Sequence, residues 1–114
     1  MAKHEFGILQ DFDKDKIYEK YEPEKYNCVS VSDELIAAVV PYLKNMKTYH
    51  HSFNNKSLGL AYTGITIIPT SSITFFYDLV NTLNKLRQSH ELAVLLVVLM
   101  DAKINNKNII HFGI

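Results

Sequence analysis

The side chains capable of chemistry are five histidines, one cysteine and a dense set of carboxylates. His50 and His51 are adjacent. On a strand such neighbours point to opposite faces, and on a helix they lie about 100° apart, so the pair chelates one ion poorly. His4, His90 and His111 are scattered, with no cysteine or carboxylate at ligand spacing. The reading is no metal and no cofactor, with His50-His51 a solvated loop pair. Cys28 sits among strand-forming residues without a local base, which fits a small buried hydrophobe better than a nucleophile. Gly59-Leu60-Ala61-Tyr62-Thr63-Gly64 lacks a following Lys-Ser/Thr and lies inside an apolar run, so it is no phosphate loop. Asp11, Asp13, Asp15, Glu19, Glu22 and Glu24 alternate with Lys14, Lys16, Lys20 and Lys25. That pattern describes a solvated, ion-paired surface; an acid–base pair would need a pocket to shift its pKa.

Seven tyrosines are the unusual feature of the composition. Tyrosine joins apolar area to a hydrogen-bonding tip, which suits both core edges and binding surfaces. The candidate binding surface is Tyr49, His50, His51, Asn54 and Tyr62, combined with the acidic segment from Tyr18 to Glu24. Two functions are weighed. One is a non-enzymatic domain that binds protein, as a homodimer or as the antidote to a toxin. The other is a small enzyme or metabolite binder sited at the Tyr49–Asn55 loop, with His50 or His51 as acid–base and Tyr49 or Tyr62 in support.

Elements must position these groups. Residues 4–9 read as a short edge strand weakened by Gly7, and Ile17, Tyr18 and Tyr21 can pin one helical turn within the charged segment 11–25. Residues 26–31 alternate as a half-buried strand. Ser32 reads as the N-cap of a helix carrying Leu35, Ile36, Val39, Val40, Leu43 and Met46, kinked or split at Pro41. Residues 47–57 are polar and predict a loop. Residues 58–69 predict one central strand, apolar on both faces. A second amphipathic helix, capped by Ser71 or Ser72, follows through Leu86. Ser89 reads as the next cap; the run Leu92–Met100 is apolar all round, so its leucine spacing favours a third helix while its valines leave a buried strand open, and residues 109–114 make the last strand. The fold class is α+β: a three- to four-stranded sheet with helices packed mainly on one face.

A chain of 114 residues with 47% apolar composition suits one domain with its own core. Twelve basic and twelve acidic residues cancel, which disfavours nucleic acid and acidic membranes as partners and leaves self-association unopposed by charge. The longest apolar run falls far short of the roughly 18 residues of a membrane span. A single cysteine and an N-terminus without an apolar leader point to the cytoplasm.

The segments Lys3-His4-Glu5-Phe6-Gly7-Ile8, Tyr21 to Cys28, Gly59 to Pro69 and Ile110-His111-Phe112-Gly113 resemble a small uncharacterised family of Gram-positive bacterial proteins. The resemblance spans nearly the whole chain. It implies a bacterial, cytoplasmic, free-standing protein and carries over no functional residue.

Overall fold

The computed structural model describes residues 2–114. Strand β1 (Lys3–Leu9) leads through a long charged strap and a 3-10 turn (Pro23–Tyr26) into β2 (Val29–Ser32). Helix α1 (Asp33–Val39) follows, with a 3-10 extension at Val40–Leu43. A hairpin of β3 (Lys47–His50) and β4 (Lys56–Leu58) precedes β5 (Ile65–Ile68). Helices α2 (Thr70–Arg87) and α3 (His90–Ile104) then return the chain to β6 (Asn108–Phe112). The six strands form one sheet in the order β2-β1-β6-β5-β3-β4, every pair antiparallel.

The period-2 alternation of the strands divides the sheet into two apolar faces. Phe6, Val31, Ile68 and Ile109 face the helices, where they pack on Ile36, Leu43, Phe76, Val80, Leu95 and Leu99. Side chains so completely buried each contribute about 1.5–3 kcal/mol. Leu9, Ile65, Ile67, Ile110 and Phe112 face the other way, and there the strap seals them with Tyr18 and Tyr26, beside Cys28, Tyr49 and Phe53. Helices thus occupy one face, and the charged segment covers the other.

Several expectations need correction. The sheet has six strands instead of three or four, because residues 47–57, too polar to read as strand, hold most of the β3–β4 hairpin. β4 lies at the sheet edge, where Lys56 meets solvent and no apolar alternation is required. The stretch 58–69 is not one strand. Gly59 and Gly64 take φ of +73° and +85°, so the intervening residues form a loop, and of this stretch only Leu58, the end of β4, and Ile65–Ile68 enter the sheet. That part is central, between β6 and β3, and every residue of it is buried.

No helical turn forms at Ile17–Tyr21: Tyr18 alone turns inward, while Ile17 and Tyr21 stay exposed. The strand expected from Tyr26 begins only at Val29, since Asn27 is left-handed at φ 51°. Ser32 makes no side-chain cap bond, and α2 begins at Thr70, with Ser72 Oγ donating to the Lys47 carbonyl. Pro41 does split its helix into two short pieces, and Ser89 does cap α3 by accepting from the Leu92 amide.

Candidate functional site

The expected surface residues divide between two places. Tyr49, His50, His51 and Asn54 lie at the β3–β4 hairpin, and the structure brings them to the strap. His51 Nδ1 donates to the Tyr18 carbonyl at 2.6 Å, while the Tyr18 amide donates to the His51 carbonyl at 2.7 Å. Asn54 Nδ2 donates to the Lys14 carbonyl at 2.8 Å. Tyr49 packs beside Phe53 over the strap-side core. Burial, reinforced by the neighbouring His51, lowers the His50 pKa. This cluster clamps the strap to the sheet. Cys28, half-buried against Gly7 of β1 at the other end of the sheet, has its thiol pushed up to about 12 by burial and then the charge of Glu5, far from a thiolate at neutral pH.

Tyr62 belongs to a second cluster, on the helix side. In the β1–β2 register His4 lies opposite Val31, so Asp33, two residues on, presents its carboxylate to the same face. His4 Nε2 donates to Asp33 Oδ1 at 2.9 Å, and the Tyr62 hydroxyl donates to Asp33 Oδ2 at 2.9 Å. On the next strand, His111 sits opposite Phe6 and diagonal to His4, with 2.8 Å between its Nε2 and His4 Nδ1. Tyr62 is held by its own carbonyl, which accepts from the Ile114 amide at 2.9 Å as an extension of the β5–β6 ladder. The result is a linear chain, Tyr62–Asp33–His4–His111, running from solvent to the core.

Donor and acceptor bookkeeping fixes its protons. With Asp33 ionised, His4 carries its proton on Nε2 and offers Nδ1 as an acceptor, so His111 donates from Nε2. His111 Nδ1 is then a bare lone pair; it is buried and has no partner. A second proton on His4 would force the His111 proton onto Nδ1, where nothing accepts it. Burial, and then the nearby His4, lowers His111 to about 3. The hydrogen bond from His4 holds the Asp33 carboxyl below its usual range, and the bond to Asp33 raises Tyr62.

Both nitrogens of His4 are engaged and His111 is sealed in, so no imidazole nitrogen is free to exchange a proton with a ligand. The chain ends at a cleft of about 190 Å³ where His4, Asp33 and Tyr62 meet Ile36, Val40, Pro41 and Leu60. Its chemistry is that of a fixed acceptor: an anionic oxygen pair with an aromatic ring beside it. Among the described residues, no three His, Cys, Asp or Glu side chains converge as metal ligands. Sequence reasoning passed over His4, Asp33 and His111. The signal was there in His111, an imidazole set among Ile109, Ile110 and Phe112 in a strand that must be buried.

The chain matches no protein-family model, no curated protein and no solved structure. Among the described residues, no helix is long and apolar enough to cross a membrane.

Proposed function

We propose that the protein is a non-enzymatic cytoplasmic binding domain that works as a two-fold dimer, with the outer surface of α3 at the interface. The observation that carries this is the apolar face of α3 turned away from the core. Leu92, Leu95, Leu99 and Ala102 are buried, whereas Val97 and Ile104 on the opposite side are 68% and 73% exposed, with Met100 and Ala93 exposed on the same side. A helix that is apolar all round belongs in an interior, and one chain supplies only half of it. On the adjacent α2, Phe75 and Leu86 are exposed as well.

The spacing favours a second copy as the occupant. Residues 93, 97, 100 and 104 step by four, three and four, the seam of a paired helix. In an antiparallel two-fold pairing, small Ala93 meets Ile104 and Val97 meets Met100, so knobs and gaps complement each other. Zero net charge offers no repulsion. The exposed apolar side chains total on the order of 500 Å² per chain, so two copies reach the roughly 1,000 Å² of a specific interface. The surface formed by Tyr49, His50, His51 and Asn54 with the strap carries less, because His51 and Asn54 are spent on internal hydrogen bonds.

Thiol trapping tests the pairing. In a Cys28→Ser background, chains carrying Val97→Cys and Met100→Cys are mixed and oxidised. The 97–100 disulfide should form in preference to 97–97 or 100–100. Equal yields of all three, or none, would count against this geometry.

A further inference from the structure

We propose that the cleft between α1 and the 59–64 loop is a binding site for a small primary amine, its ammonium seated on Asp33 and its short apolar body on the opposite wall. The site lies apart from the dimer face and is independent of that reading.

The polar wall determines the chemistry. The only donors on its polar side chains, His4 Nε2–H and the Tyr62 hydroxyl, are both already given to Asp33. What remains towards the cleft is acceptor capacity: the unused lone pairs of the carboxylate and those of the Tyr62 oxygen. An anion would find no donor and a hydroxyl could give only one proton, whereas an ammonium supplies three and brings the charge opposite to that of Asp33. Charge agrees. The hydrogen-bond chain is satisfied with both imidazoles neutral, so Asp33 brings an uncompensated negative charge, and no lysine or arginine lines the cleft. The Tyr62 ring lines the same cleft.

The other wall determines size and class. Ile36, Ala37, Val40, Pro41, Leu60 and Ala61 are all apolar. At about 190 Å³ the cleft has room for on the order of six waters, below the range of drug-sized pockets. An alkyl chain of four to six carbons, or one aromatic ring, fits this description; a nucleotide or sugar phosphate does not. The wall is also pre-formed. Pro41 fixes the backbone of the 3-10 extension, and the Ala61 amide is tied to Thr66 Oγ1 at 2.9 Å. His4 is almost fully buried, so the carboxylate is aimed by a rigid partner.

The test is a 15N-NMR titration of the full chain at pH 7.5 with n-butylammonium chloride, with n-butanol as the uncharged-head control and butyrate as the reversed-charge control. The expected result is saturable shifts of the Ala37, Leu60 and Tyr62 amides with the amine alone. Asp33→Asn should weaken binding at least tenfold. Should that variant lose its fold, Ala37→Phe, a change at an exposed position that fills the cleft, should abolish the shifts while leaving the rest of the spectrum intact. Butyrate binding as well as the amine would overturn the proposal. So would an absence of saturable shifts at the cleft, or amine binding unaffected by Ala37→Phe.

Discussion

His111 shows what a single buried imidazole imposes. Its ring stacks on His4 and lies tilted against Phe6, its Nε2 feeds His4, and its Nδ1 has no hydrogen-bond partner. The folded-state pKa of about 3 lies below the 6.5 of a free imidazole. Between those values the unfolded chain binds more protons, so stability falls as pH drops from about 6.5 towards 3. At about 1.4 kcal/mol per unit, this one group can remove several kcal/mol over that window. Asp33, its pKa also lowered, adds a loss in the same direction at still lower pH. Urea denaturation at pH 7.5 and pH 4.5 should therefore show a marked drop in midpoint. His111→Leu should be about 1–3 kcal/mol less stable at pH 7.5, since His4 Nδ1 loses its donor, but flatter with pH. An unchanged slope in that variant would mean the pH dependence arises elsewhere.

Among the elements, the strap is the least conventional, and a glycine fits it to the sheet. A Cβ on Gly7 would come within 2.7 Å of Cys28 Sγ and 2.8 Å of the Tyr26 carbonyl, because the 3-10 turn and the start of β2 cross β1 there. Gly7→Ala should lower stability by about 1–3 kcal/mol, read from thermal unfolding, and should speed reaction of Cys28 with a thiol reagent as the crossing loosens. A neutral Gly7→Ala would show the strap to be loosely held. The sequence indicates α2 clearly through its stripe spacing, whereas the run Leu92–Met100, apolar all round, leaves helix and buried strand open, and only its length, polar exit and the Ser89 cap favour α3. It also indicates the strands built on Val29, Ile65 and Ile109. The β3–β4 hairpin was hidden because an edge strand has no apolar face to display. The strap was hidden because one buried Tyr18 in a highly charged segment leaves no periodic trace. The cluster of His4, Asp33, Tyr62 and His111 was legible only in part, since its members lie on four separate elements and meet through strand register alone.

At the scale of the molecule, a six-stranded sheet is covered on one side by helices and on the other by the strap, yet α3 still turns valine, methionine and isoleucine to solvent. Both faces of the sheet are already filled, so the chain has no further surface of its own to bury that stripe. Under the proposed pairing a second copy would bury it symmetrically, and a neutral molecule would meet no long-range penalty in doing so. Sedimentation equilibrium of the full chain from about 1 to 100 μM is the most direct measurement, a range that brackets an interface of this modest size. The account predicts a mass twice the 13.1 kDa of one chain at the upper concentrations, and a single-chain mass for Val97→Glu. A single-chain mass for the native sequence across the whole range would contradict it.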